Sequence, residues 1–226
     1  MRLLLVGAMG HMGQEVVKLA NEREDIELFP IDQREGSQTL LDAEDWEGDA
    51  ILDFSHHSAV HDILSFAKKK KSPLVIATTG HNESEQKEIG EAAQEIPILL
   101  SENLSLGIRL FFEMAVELLL HFGEGDGEIF EIHRKGKADR PSGTAKRLRA
   151  YLEETKANLD IPIHAIRLGD TVGTHSFVFG NAEESISITH TVHSRRLFAK
   201  GGIAACAYLI GQPAGLYRME DTVAKQ

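Results

Sequence analysis

Glu131, His133 and Lys137 combine residue types and spacing that suit proton transfer beside an anion. In a strand, where successive side chains alternate between faces, Glu131 and His133 project from one face while Phe130 and Ile132 take the other. The strand therefore delivers an imidazole, the natural proton donor near neutral pH, at its exit. Lys137 follows four residues later across Gly136 and can swing back toward the same space with a fixed positive charge. Pro141-Ser142-Gly143-Thr144 then opens a helix running toward Arg149. A helix start with exposed N–H groups, a serine and a threonine suits an anion. Together these groups fit general acid–base chemistry. Taken alone, they also describe a basic solvated loop followed by an ordinary Ser/Thr helix cap.

A second constellation stands at the N-terminus. Gly7-x-x-Gly10-x-x-Gly13 falls between the apolar run Arg2 to Val6 and the helical pattern Val16, Val17, Leu19, Ala20. Glycines permit the tight turn and let backbone N–H groups approach a pyrophosphate at the helix N-terminus. Asp32, nineteen residues past Gly13, closes a second strand and can accept from ribose hydroxyls. The spacing is not the commonest G-x-G-x-x-G, and a glycine-rich turn without a ligand is the alternative. Asp32 favours NADH by repelling a 2'-phosphate, whereas Arg34 can accept that phosphate, so NADH and NADPH are both compatible.

The elements that must position these groups follow from the hydrophobic pattern. Ile26 to Asp32, Ala50 to Phe54, Pro73 to Ala77 and Ile96 to Leu100 read as strands, with helices over Ser58 to Lys69 and Glu83 to Gln94. Such alternation predicts a parallel sheet with helices on both faces. After Leu106 the texture changes to a long apolar helix, Ile108 to Phe122, and an acidic glycine turn. Period-two runs follow over Glu128 to His133, His175 to Phe179 and Ser185 to Val192, the last two joined by the hairpin signal Gly180 to Glu184. The expected fold class is α/β: a Rossmann-type dinucleotide-binding domain plus a smaller α+β domain with a mixed or antiparallel sheet. A final helix, Gly201 to Leu209, is expected to pack back on the first domain.

Other signals carry less. His57 and His61, with His56 and Asp53, have metal-like spacing but sit where polar residues cap a helix and face solvent, so no metal is expected. Lys68 to Lys71 reads as a solvated helix end and Cys206 as a packed core residue. His175, His190 and His193 can line a substrate face, though structural hydrogen bonding is the plainer role. Trp46 sits in an acidic loop with no pattern around it. A single cysteine among 226 residues closes no bridge and points to a reducing compartment. No secretory address or membrane-spanning run is visible, so a cytoplasmic location is expected. The net charge of -11 argues against nucleic-acid or anionic-membrane partners. That average conceals a basic island, since the seventeen residues from His133 to Arg149 hold seven of the 24 Lys+Arg and one acid, Asp139.

The run Glu131 to Ala145 matches every fixed position of the pattern E-x-H-x-x-x-K-x-D-x-P-S-G-T-A, and on it the chain resembles the dihydrodipicolinate reductase (4-hydroxy-tetrahydrodipicolinate reductase) family. The likeness extends along nearly the whole chain. Gly7 to Gly13 looks like the family's cofactor turn, Thr78-Thr79-Gly80 its second cofactor loop, Asn103 to Gly107 its interdomain segment, and Ser194-Arg195 with Phe198-Ala199 its return to the first domain.

The resemblance implies NADH- or NADPH-dependent reduction of dihydrodipicolinate to tetrahydrodipicolinate in lysine and diaminopimelate biosynthesis. It implies a dinucleotide-binding domain over 1–104 and 195–226, a substrate-binding and oligomerisation domain over 105–194, hinges near Asn103 to Gly107 and Ser194 to Phe198, and a homotetramer built through the antiparallel sheet. His133 would be the proton donor/acceptor and Lys137 the second catalytic residue, holding a substrate carboxylate. Arg134, Ser142, Gly143 and Thr144 would bind the small dicarboxylate substrate. The cofactor would meet Gly7, Ala8, Met9, Gly10, His11, Met12, Asp32, Arg34, Ala77, Thr78, Thr79, Ser101, Glu102, Asn103 and Leu104.

Departures from the family pattern are visible. His11 stands where Arg or Lys is usual, Arg134 replaces a frequent second His, Ala77 a frequent Gly and Leu104 a frequent Phe. The chain is also shorter, with trimmed loops at Gln33 to Gly48 and before Gly169. Two alternatives are a semialdehyde dehydrogenase, whose cysteine nucleophile Cys206 is wrongly placed to supply, and a catalytically silent nucleotide-binding or redox-sensing module. Retention of both His133 and Lys137 speaks against silence.

Overall fold

In the computed structural model, which describes residues 1–34, 36–156 and 159–222, the apolar run Arg2–Val6 forms strand β1, with Leu3, Leu4 and Leu5 wholly buried. Glu35 of the Gln33 to Gly48 loop and the last four positions of the expected 195–226 segment lie outside the described residues. Backbone proximity divides the chain into two units, one holding Met1–Leu104 and the stretch from Arg196 onward, the other Ser105–Arg195.

The first unit is a six-stranded sheet of β1, β2 (Glu27–Ile31), β3 (Ala50–Asp53), β4 (Leu74–Ile76), β5 (Pro97–Leu100) and β10 (Gly215–Tyr217). Its order is β10-β5-β4-β3-β1-β2 and every pairing is parallel. Period-two geometry splits each buried strand between two cores. Leu4, Val6, Ile51, Leu74, Ile76 and Ile98 join one with residues of α2 (Val60–Lys70) and α3 (Glu83–Ala92). Leu3, Leu5, Leu52, Val75 and Leu99 join the other with residues of α1 (His11–Asn21) and α6 (Arg196–Leu209). The strand order reverses between β1 and β3, which is where doubly wound sheets open a ligand crevice beyond the strands' C-terminal ends.

Three features of this unit were not readable as pattern. Strand β10, three residues long, is too short to signal itself. The last helix begins at Arg196, five residues before the expected Gly201, and Arg196 ion-pairs with Glu22 at the end of α1. Trp46 is a core residue after all, 7% exposed and tilted against Phe66, with Gly48 leaving room for its ring: a Cβ there would stand 2.2 Å from Trp46.

Close approach also explains Gly201, whose added Cβ would lie 1.8 Å from the Leu104 carbonyl oxygen. Because the neighbour is backbone, Gly201→Ala should destabilise the protein by about 1–3 kcal/mol, the usual cost of overpacking. Urea unfolding measures it, and an unchanged midpoint would show that α6 can shift off the segment before Ser105.

The second unit places α4 (Leu106–His121) and α5 (Gly143–Thr155) on a four-stranded sheet, order β7-β6-β8-β9. Strands β6 (Asp126–His133), β8 (Gly173–Gly180) and β9 (Ser185–Val192) are antiparallel neighbours, as their alternation predicts. The hairpin is closed by Asn181, whose Oδ1 accepts from the N–H groups of Glu183 and Glu184. Strand β7 (Ile163–Arg167) pairs parallel with β6 and makes the sheet mixed. Ile129, Phe177 and Phe179 face the helices, where Phe111, Leu119, Leu148 and Leu152 meet them.

Candidate functional site

Strand β6 carries the histidine of the motif outward from a buried carboxylate. Glu131 pairs across the sheet with His175 on β8, and His133 pairs with Arg167 on β7, so register alone gathers four ionisable side chains at one end of the sheet. Glu131 is 0% exposed. Its Oε1 accepts from Arg167 Nη2 at 3.0 Å and from the Ser142 backbone N–H at 3.0 Å. Its Oε2 faces His133 Nδ1 at 3.4 Å and His175 Nε2 at 3.6 Å. The two imidazoles meet edge to face with centroids 5.0 Å apart. Room for the His133 ring comes from Gly173, where a Cβ would stand 3.1 Å from Nε2.

Electrostatics follow from this packing. Burial pushes the Glu131 carboxyl up, but His175, Ser142 and Arg167 around it outweigh burial and hold it well below the usual carboxylate range. His133 is lowered to about 4, first by burial and then by repulsion from His175, with Lys137 and Arg167 adding to it and Glu131 opposing. The ring is therefore neutral near pH 7 in the free protein. Glu131, His133 and His175 offer donor atoms within 4.8 Å of one another, a spacing a cation could bridge. Arg167 already pairs with the carboxylate, which disfavours a metal there.

Lys137, in the turn after β6, ion-pairs with Asp139 at 2.7 Å, and the Asp139 carbonyl in turn accepts from Arg167. Arg134 is exposed on the same turn, its carbonyl accepting from the Lys137 N–H. Ser142 is the N-cap of α5: its hydroxyl accepts from the Ala145 N–H and lies 3.3 Å from His175 Nε2. The cap thus also sits against the cluster. Gly143 is exposed with open space where a Cβ would stand, so the helix start is accessible at Gly143 and Thr144, and α5 has no acidic residue in its first turn.

In the first unit, the residues expected to hold a dinucleotide follow the C-terminal ends of β1, β2, β4 and β5. Gly7 has φ +83, and a Cβ there would lie 2.6 Å from the Phe54 carbonyl oxygen. A Cβ on Gly13 would lie 2.2 Å from the Gly7 carbonyl oxygen, so α1 packs directly on the turn. Helix α1 has no side-chain cap, unlike α3, α4 and α5, each capped by its own Asn or Ser. Met9 N–H donates to Asp32 Oδ2 at 2.9 Å, and Arg34 Nη1 donates to the Met9 carbonyl at 2.9 Å. Ala8 is buried while Met9 and His11 are exposed and Met12 is half-buried. A glycine cradle that tolerates no Cβ, an uncapped helix start and a tethered carboxylate fit a dinucleotide.

Beyond β3 and β4, buried Asp53 accepts from the Ser55 and Thr78 hydroxyls at 2.5 and 2.8 Å, tying two loops together. Ala77 is half-buried and Thr79 exposed beside it. Ser101 and Asn103 close a turn on each other, with Glu102 exposed between them. The Leu104 side chain is 2% exposed and belongs to the core cluster with Leu52 and Ala199. His57 and His61 pair with Glu85 and Glu88 of α3 at 2.9 and 2.7 Å, and His56 caps the turn that starts α2. Their spacing serves helix packing.

Arg167 escaped the sequence reading, because β7 is a mixed strand of five residues whose partner only the parallel register reveals. His175 was visible as an alternating-strand histidine, but its position opposite Glu131 was not.

Comparison with known proteins adds a second line. Family models described as dihydrodipicolinate reductase, N-terminus and C-terminus, match residues 1–104 and 107–223. A 4-hydroxy-tetrahydrodipicolinate reductase of Caldanaerobacter subterraneus subsp. tengcongensis is 39% identical over 250 aligned positions, covering 99% of this chain and 98% of that one. Those 250 positions exceed the 226 residues here by 24, so that relative carries at least 24 residues without a counterpart. Among solved structures, dipicolinate-bound dihydrodipicolinate reductase from Paenisporosarcina sp. TG-14 superposes with TM-score 0.81 at 21% identity, covering 99% of each chain. An engineered D-amino acid dehydrogenase bound to NADP+ shares the fold at TM-score 0.61 and 13% identity, covering 100% of this chain and 96% of that one.

Proposed function

The chain belongs to the dihydrodipicolinate reductase family, and from that premise we propose how its own residues carry out the reaction. It is an oxidoreductase of lysine and diaminopimelate biosynthesis that uses a pyridine nucleotide to reduce 4-hydroxy-tetrahydrodipicolinate (dihydrodipicolinate) to tetrahydrodipicolinate. When bound, the reduced nicotinamide supplies the hydride.

In this reading His133 donates the proton and Lys137 holds a substrate carboxylate, with Arg134, Gly143 and Thr144 completing the anion site and Ser142 fixing its helix start. The observation that carries the reading is a buried imidazole set against a buried, fully neutralised carboxylate, with a lysine and an accessible helix start beside it. His133 is neutral before substrate arrives, since its pKa lies at about 4. A dianionic substrate brings negative charge that raises the ring's proton affinity, so binding itself arms the acid. Lys137 exchanges Asp139 for the substrate carboxylate, a swap of one charge-assisted bond for another that keeps its cost low.

Asp32 and Arg34 together favour use of both NADH and NADPH. The Asp32 carboxylate, which accepts from the Met9 N–H, supports recognition of ribose hydroxyls, and the exposed Arg34 guanidinium beside it supports pairing with a 2'-phosphate. Arg34→Ala should raise KM for NADPH about tenfold, the loss of a charged hydrogen bond, and leave KM for NADH within about twofold. Equal effects on both would remove Arg34 from phosphate recognition.

A homotetramer and a cytoplasmic location belong to the same proposal. No helix among the described residues is long and apolar enough to cross a membrane. The sheet face away from α4 and α5 carries Phe130, Ile132, Ile166 and Val178 among serines and threonines, a surface suited to association, and light scattering of the purified protein would size it. The decisive assay mixes the protein with freshly generated dihydrodipicolinate and either reduced nucleotide and follows nicotinamide absorbance. No turnover with either one defeats the proposal.

A further inference from the structure

Glu131 touches both the proposed proton donor, His133, and the start of α5 at Ser142. It shares a face of β6 with His133, and its carboxylate is reached from every element packed against it. Arg167 approaches from β7, His175 from β8, the Ser142 N–H from the start of α5, and His133 from its own strand. Arg167 also donates to the Asp139 carbonyl, so the ion pair that orients Lys137 is tied to the same carboxylate. The two oxygens divide the labour: Oε1 takes the two hydrogen bonds at 3.0 Å, and Oε2 looks at the two imidazoles.

We infer that Glu131 is the positioning residue of the reduction site: one buried carboxylate fixes the His133 ring through Oε2 and the anion-binding start of α5 through Oε1, holding proton donor and substrate site in a single register. The inference rests on the proposed reaction only for its kinetic consequences. Its chemistry is local. His133 Nδ1 is buried without a hydrogen-bond partner, and Glu131 Oε2, likewise without one, stands 3.4 Å from it, so the neighbouring negative charge favours keeping the proton of the neutral ring on that nitrogen. Nε2 is then the atom that exchanges a proton with substrate. An imidazole without this partner can turn over or present the wrong tautomer, which idles a site whose groups are all present. His175, Ser142 and Arg167 together keep the carboxylate ionised, so Glu131 orients without taking the proton itself.

The test compares wild type with Glu131→Gln, an isosteric change that keeps an acceptor for Ser142 and removes the charge. Two readouts are taken. In the free protein, NMR titration of the His133 ring should move to lower pH in the variant, because the one group favouring the imidazolium is lost while His175, Lys137 and Arg167 remain. The Nδ1–H tautomer should also lose population. In turnover, kcat should fall about 10- to 100-fold, part of the general-acid contribution, its acid limb should move with the ring titration, and nucleotide affinity should stay put. An unchanged His133 titration and tautomer overturn the inference even if kcat drops, since a purely structural role would lower activity without moving either. The titration needs no turnover, so an inactive wild type defeats the proposed reaction and leaves this test standing. Should Glu131→Gln fail to fold with Arg167 unpaired, Glu131→Asp decides: it keeps the charge but shortens the reach, so kcat should fall while the ring titrates within about half a unit of wild type. A kcat equal to wild type in that variant overturns the inference.

Discussion

Replacing His133 with alanine should lower kcat by about 10²- to 10⁴-fold, the range a positioned general acid contributes, while the affinity for reduced nucleotide stays within about twofold. The separation arises because His133 stands at the exit of β6 in the second unit, whereas the glycine turn, Asp32 and Arg34 lie in the first. Adding hydride to a conjugated imine pushes electron density onto the ring, and without a proton at hand that charge must be quenched by solvent. Truncation also leaves Glu131 with one fewer partner, but Arg167 and the Ser142 N–H still hold it at 3.0 Å each, so the carboxylate and the start of α5 should keep their places. Steady-state kinetics with saturating nucleotide, together with a nucleotide-binding titration, separate these quantities. An unchanged kcat removes His133 from the mechanism, and a collapse of nucleotide affinity would mean that the variant fails for reasons other than a missing proton.

The order of elements and the nature of the motif were legible because both are local. Period-two alternation over Glu128 to His133 put Glu131 and His133 on one face before any partner was known, and the apolar runs of β1, β3, β4 and β5 announced a buried parallel sheet. What escaped depends on register. Arg167 meets Glu131 only because β7 pairs parallel with β6, and a five-residue strand with a histidine and an arginine in it carries no periodic signature. Leu104 fits a cofactor loop by position, yet its side chain turns into the core beneath α6, where Gly201 makes room for its backbone. Trp46 was silent for the same reason: its burial is decided by Gly48 and Phe66, neither of which forms a pattern with it. Residue type and spacing reveal which chemistry is on offer, whereas the pairing of distant strands decides which neighbours tune it.

That tuning predicts acid lability with a defined sign. A histidine whose folded pKa is lowered to about 4 binds fewer protons when folded than when unfolded at any pH between about 4 and 6.5, the unfolded value. Its stabilising contribution is therefore complete above about 6.5 and is lost as pH falls toward 4, amounting to about 3 kcal/mol over the window. Glu131, also depressed, adds a second loss that begins only below the ordinary carboxylate value of 4.5. His81 and His190, lowered by burial, share the upper window, while Asp53, raised by burial, regains stability on acidification. His133→Asn isolates the one contribution, because asparagine fills similar space, can still donate toward Glu131 and does not titrate. Urea unfolding followed by far-UV circular dichroism at intervals from pH 7.5 to 4.5 should give a steeper fall for wild type than for the variant, with the two curves diverging below about pH 6.5. Parallel curves would show that His133 is not held neutral by its surroundings, and with that the substrate-armed acid proposed above would lose its basis.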